Sequence, residues 1–218
     1  MNPYSHLAIA AQLENDLRPA DPAEYYWGAI APDVRYVARV PRAQTHLSPE
    51  AVLAFLEKYP RLESFTQGYL VHALTDLFEL PAWLKKRHFP RPIRHQISHH
   101  MLAVMLETYF IEKSPVHAQV QGQPNEIFRA LGIPDEKTAH FGQLMNQFLA
   151  QPSFDAEIEF VRAFGTNLRL ENYIAAMQDL RKYAFLKPVF FRLIDMDGLN
   201  RQVLAEIRQA EAFRQICG

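Results

Sequence analysis

A histidine and an aspartate, His72 and Asp76, stand one helical turn apart in the run Gly68-Tyr69-Leu70-Val71-His72-Ala73-Leu74-Thr75-Asp76. On a helix that spacing sends both side chains off one face, where they can close on a single cation. From Ser64 to Phe78, Asp76 is the only acid and no Lys or Arg occurs. Apolar residues lie all round the helical projection, so the segment is expected to be buried. A buried carboxylate needs a compensating partner. Two partners suit it: a metal ion shared with His72, or the imidazole alone in a core histidine and aspartate pair.

Further candidates lie on both sides of this pair. His6 falls on the stripe Ile9, Ala10, Leu13 and Leu17, so it should face inward near the start of a first helix, as a ligand or as a core histidine. Asp33 follows Trp27-Gly28-Ala29-Ile30-Ala31-Pro32, an apolar approach that delivers a carboxylate out of a turn, as a ligand or as a cap. His46 closes Arg42-Ala43-Gln44-Thr45-His46 just ahead of a helix beginning at Pro49. His100 and Glu107, two helical turns apart, share a face with Ile97, Val104 and Ile111. A glutamate and a histidine buried together are costly unless paired or metal-bound, so both join the candidate ligands. His95 and His99 could also chelate, but their more polar face suits a solvated surface.

The elements that must position these groups are helical. Apolar spacing follows the helical period nearly everywhere, period-two alternation is hardly seen, and the 15 prolines fall mostly where helical patterns stop. The chain is read as all-α, with helices from about Tyr4 to Leu17, Pro49 to Tyr59, Leu62 to Phe78, Ile93 to Glu112, Asn125 to Leu131, Asp135 to Leu149, Phe154 to Phe164, Leu170 to Phe185, Val189 to Asp195 and Leu199 to Ile216. Ser48-Pro49-Glu50 is a start signal, while Gly132 and Gly165 are plausible stops. Arg18 to Leu47, with its prolines, Tyr25, Tyr26 and Trp27, is read as a long irregular loop anchored by aromatics on the helices. A length of 218 residues with no repeat or linker predicts a single domain over 1–218, its chemistry in 1–112 and additional packing helices in 113–218.

Composition narrows the chemistry further. Basic and acidic residues number 23 and 24, so no global field advertises nucleic acid or an anionic membrane. The single cysteine, Cys217, excludes an intrachain disulfide framework and a cysteine-rich zinc site, which leaves His, Asp and Glu as ligands. Met1 to Asp16 lacks a basic start followed by an apolar stretch and a cleavage site, so a cytoplasmic location is the expectation. No His-Glu-x-x-His, Gly-x-Ser-x-Gly, phosphate-binding glycine loop or His-Asp doublet occurs.

Together, His6, the Gly-Ala-x-x-Pro-Asp turn at Gly28 to Asp33, His46 and the Gly-Tyr-x-x-His-x-x-x-Asp segment at Gly68 to Asp76 resemble the zinc-dependent phospholipase C family. That family has an all-α fold shared with the S1/P1-type nucleases, and the match covers about the first half of the chain. The resemblance implies that Asp33, His46, His72 and Asp76 hold one zinc, and that Asp76 bridges to another zinc which His6 also binds. It also makes Asp33 a candidate catalytic residue, beside the metal-bound water, that orients the water or takes its proton.

The pattern departs from the family at three places. Secreted members complete one site with a processed N-terminal tryptophan, whereas this chain begins Met1-Asn2-Pro3. The family's histidine shortly after the bridging aspartate is missing from Leu77 to Trp83, where His88 is the nearest candidate. The later pair of histidine and glutamate four apart is replaced by His95, His99, His100 and Glu107 at other spacings. One or two zinc ions, or other divalent metals, are therefore expected.

Lys85 to His95 carries five fixed positive charges and no acid, and is read as a phosphate-binding rim or a solvated basic loop. Phe185 to Ile194 is read as core, and Asp195-Met196-Asp197-Gly198 as a turn. The expected function is metal-dependent hydrolysis of phosphoesters on a small molecule or lipid head group. The alternatives are a non-catalytic metal-stabilised protein of the same fold, or a nuclease or nucleotidase for which Tyr25, Tyr26, Trp27 and Trp83 could stack bases.

Overall fold

The structure, a computed structural model, describes residues 3–80, 82–83, 99–116, 118–164, 171–172, 174–175, 178, 191–192 and 194–217. Among the described residues there are helices and no strands. The chain is all-α. Its helices are α1 (Pro3–Leu17), α2 (Pro22–Ile30), α3 (Arg35–Ala38), α4 (Arg42–Thr45), α5 (Pro49–Lys58), α6 (Glu63–Leu77), α7 (His99–Lys113), α8 (Glu126–Ala130), α9 (Asp135–Ala150), α10 (Phe154–Ala163), α11 (Met196–Gln209) and α12 (Glu211–Ile216), with 3-10 turns at Ala31–Val34 and Pro60–Leu62.

α6 is the central strut. Every residue from Ser64 to Thr75 is buried, which a helix sustains only when neighbours cover it all round. Those neighbours include α1, α2, α5, α11 and α12. α2 lies closest, because Gly28 and Gly68 face each other across the crossing. A Cβ on Gly28 would collide with the Phe65 carbonyl, and one on Gly68 with the Tyr25 carbonyl. Backbone therefore meets backbone at this point, which only residues without a side chain allow. The buried apolar side chains from Tyr4 to Phe213 form one continuous cluster. No described helix is long and apolar enough to cross a membrane.

The segment expected as an irregular loop is mostly helical. Asp21 caps α2 by accepting from the Glu24 amide at 3.0 Å, with Pro22 in the first turn. That start signal is legible, but Tyr25 to Ile30 is apolar and buried without interruption, so no helical period shows in it. The anchoring aromatics are real: the Tyr25 hydroxyl donates to the Ala10 carbonyl at 2.9 Å, and Trp27 Nε1 to the Gln123 carbonyl at 2.8 Å. Near the C-terminus, one expected helix is two, separated at Ala210, whose ψ of 134° is extended. Asp195 is not part of a plain turn but the cap of α11, accepting from the Gly198 amide at 3.0 Å. The helices expected at Leu170 to Phe185 and Val189 to Asp195, Gly165, the Phe185 to Ile194 run and the basic segment with His88 and His95 fall wholly or largely outside the described residues.

Candidate metal centre

Four elements bring five donors together. α6 presents His72 and Asp76 from one face, with His72 Nε2 3.6 Å from Asp76 Oδ2. Asp33 arrives in the 3-10 turn at the end of α2, so the glycine crossing sets its distance from α6. His6 comes from the first turns of α1, and its ring stacks on that of His72 at 3.7 Å between centroids and 14° between planes. His46 follows α4 directly, with Nε2 3.5 Å from Asp76 Oδ2 and 3.9 Å from Asp33 Oδ1. Asp76 also faces His6, at 3.6 Å through its other oxygen. One carboxylate thus stands among three imidazoles.

The surrounding backbone fixes which nitrogens face inward. His72 Nδ1 lies 2.8 Å from the Ala29 carbonyl, an acceptor, so that nitrogen carries the proton and Nε2 is turned to the centre. Ala29 is on α2, and the glycine crossing therefore sets a ring orientation as well as a spacing. His46 Nδ1 is held by the Thr45 hydroxyl at 3.0 Å, and the Thr45 carbonyl in turn accepts from the buried Tyr69 hydroxyl.

Several inward atoms are left over. Both ring nitrogens of His6, Nε2 of His72 and Oδ2 of Asp33 are buried without a hydrogen-bond partner. Buried polar atoms are rarely orphaned, and here four of them cluster. Burial and then the neighbouring His72 hold the His6 imidazole well below its usual range. Burial, with His72 and Arg42 beside it, pushes His46 down to about 2. Neutral imidazole nitrogens and carboxylate oxygens facing one another are acceptors facing acceptors, an arrangement that a cation between them satisfies. Burial raises Asp33, opposed by His72. At Asp76 burial is again the largest single cause and raises the carboxyl, but the groups around it, His72 and His6 among them, together outweigh it and the carboxyl falls well below the usual range.

The potential ligand atoms form two overlapping groups, His6, Asp33 and His72, and His46, His72 and Asp76, each with its atoms within 4.8 Å of one another. Both use His72, whose single inward nitrogen can serve only one cation. They therefore describe one centre rather than two independent ones. Imidazole nitrogen and carboxylate oxygen are the donor types that suit zinc.

Glu107 does not join this centre. It is buried, as its position on the α7 face predicts, but the core it meets is the start of α1. One carboxylate oxygen accepts from the Tyr4 amide at 2.9 Å, and the other from the Ser5 amide at 2.9 Å and from the Ser5 hydroxyl. These are the unsatisfied donors of a helix start, and a carboxylate is favoured there. The expected ligand is thus engaged as a clamp that fixes the turn carrying His6. The side chains of His99 and His100 lie outside what the structure describes. Arg42, which no motif singled out, donates to Asp76 Oδ2 at 2.5 Å. Its one signal in the sequence is helical spacing, one turn before His46.

The zinc dependent phospholipase C family model matches residues 5–151 of this chain, a span that holds His6, Asp33, His46, His72 and Asp76. The chain belongs to the zinc-dependent phospholipase C family. No curated protein and no solved structure matches the chain. The all-α architecture agrees with membership of this family, and the zinc that the family name carries agrees with a donor set of imidazoles and carboxylates.

Proposed function

We propose that this protein hydrolyses phosphate esters of a small molecule or lipid head group at a zinc centre held by His6, Asp33, His46, His72 and Asp76. The observation that carries the reading is the position of Asp76, a largely buried carboxylate facing three imidazoles at 3.5 to 3.6 Å. His46, His72 and Asp76 would hold one ion, while Asp76 with its second oxygen and His6 would reach toward another. Bound there, zinc supplies a Lewis acid that activates water and neutralises phosphoryl charge. The chain's residues do the rest. Asp33, with one oxygen orphaned and its carboxyl raised by burial, is suited to orient a water or to accept its proton. The stacked His6 and His72 rings and the Ala29 carbonyl keep the donors fixed before substrate arrives.

Incubation of the zinc-loaded protein with phosphomonoesters, phosphodiesters, nucleotides and short-chain phospholipids tests this reading. Turnover of at least one class, lost in Asp33→Asn even at zinc concentrations high enough to saturate its weakened centre, is the expected result. Stoichiometric zinc with no turnover on any of them would favour a metal-stabilised binding protein instead.

A further inference from the structure

Arg42 is the exposed residue that ends on the centre. It heads α4, and its carbonyl accepts from the His46 amide at 2.8 Å, so arginine and ligand rise from the same turn. Its side chain is 51% exposed, yet it ends on Asp76, which is only 12% exposed. It therefore spans from solvent to the buried centre. The oxygen it contacts, Oδ2, is the one that faces both His46 Nε2 and His72 Nε2. Two imidazoles and a guanidinium converge on one atom.

A cation bound by His46, His72 and Asp76 draws on that same oxygen, which then becomes a weaker acceptor for Arg42. The guanidinium carries five N–H donors in a planar fork and cannot deprotonate, so it can serve neither as ligand nor as acid. What it can do at the rim of a cation is grip an anion. Two parallel N–H groups match two oxygens of a phosphate, and the positive charge offsets the charge on the phosphoryl group. Arg35 is the instructive contrast. Its guanidinium lies 4.0 Å from the centre of the Tyr36 ring and donates to the Tyr36 hydroxyl at 2.6 Å, while Tyr36 stacks on Phe164. It contributes a fixed positive field near Asp33 and His46, but it is tied down. Among the described residues Arg42 has Asp76 as its ion-pair partner, and this contact is the one that metal binding would loosen.

We propose that Arg42 is the phosphoryl anchor of this site: from its place beside Asp76 it turns its guanidinium to the non-bridging oxygens of a phosphate ester at the zinc-loaded centre. The proposal rests on the hydrolase reading above, and it assigns substrate binding to a residue within the described site rather than to the basic segment at Lys85 to His95.

The test measures zinc content and inorganic phosphate binding separately, by elemental analysis and by calorimetry on zinc-loaded wild type, Arg42→Lys and Arg42→Ala. Loss of a charge-assisted hydrogen bond predicts that Arg42→Ala weakens phosphate by on the order of tenfold to hundredfold with zinc stoichiometry unchanged. Arg42→Lys should recover part of that loss, since it keeps the charge but not the fork. Phosphate affinity in Arg42→Ala within about twofold of wild type would overturn the assignment. Zinc loss in Arg42→Ala would also overturn it, because Arg42 would then act by orienting Asp76. Failure of the wild type to hold zinc would remove the hydrolase reading together with this proposal. Zinc-dependent phosphate binding through Arg42 without turnover would support the anchor and sink the hydrolase.

Discussion

Asp76 is the residue on which the centre depends, since each of the three imidazoles and Arg42 faces one of its two oxygens. Asp76→Asn keeps the shape and removes the charge, and zinc content by elemental analysis should fall to background along with turnover. Glu107 predicts the converse. A carboxamide offers a single acceptor oxygen, so Glu107→Gln should leave an amide at Tyr4 or Ser5 unpaired and cost about 1–3 kcal/mol in urea unfolding, with zinc retained. Loss of zinc without loss of stability would return Glu107 to the ligand set. His6 carries a pH signature. Its imidazole is depressed in the folded protein, so it folds neutral. In the metal-free protein its contribution is therefore present above the unfolded value of about 6.5 and lost as pH falls below it. Asp33 and Glu107, raised by burial, act with the opposite sign, and Glu107, raised to about 7, does so across the same pH range. Comparison with His6→Gln in chelator isolates the histidine: between pH 7 and 5 the wild-type stability should fall more steeply, by up to about 1.4 kcal/mol per pH unit. Parallel curves would contradict a neutral buried His6. Helical spacing marks His6, His72 and Asp76 as inward-facing and a turn marks Asp33, whereas His46 joins them in the sequence only through the family resemblance. For Glu107 the pattern of burial names the face but not the partner waiting there, the start of α1. No motif in the sequence marks Arg42, because its partner Asp76 is distant along the chain.

At the scale of elements, the crossing of α2 and α6 places Asp33 and the Ala29 carbonyl against His72 and Asp76. Gly68→Ala would push a methyl into the Tyr25 carbonyl, and overpacking of this kind costs about 1–3 kcal/mol. Because the helices must separate to relieve it, zinc affinity should drop together with the melting temperature. A variant that lost stability but bound zinc as tightly as wild type would show that the centre tolerates the shift. α5, α9 and α10 follow the apolar periodicity of the sequence, whereas α2 does not show one. α2 is apolar along its buried stretch, and a continuous apolar run carries no phase. The short helices α3 and α4 hold only four residues each, too few for a period to show.

Across the whole molecule, a metal bound only by the folded state adds stability by mass action. At a free zinc concentration one hundred times the dissociation constant the gain is about 2.7 kcal/mol, which for a chain of this size raises the melting temperature by roughly 5–10 °C. Addition of a chelator should reverse it, and no shift in either direction would mean that the donors hold no metal. The donors come from residues 6 to 76, but the clamp on the first of them does not. Glu107 reaches the Tyr4 amide across a separation of 103 residues. Contacts that close so long a loop form slowly compared with those inside a helix or between adjacent ones. During biosynthesis the α1 turn can be clamped only after α7 has been made, so the turn that carries His6, the first donor in the chain, stays unclamped until all five donors have been synthesised.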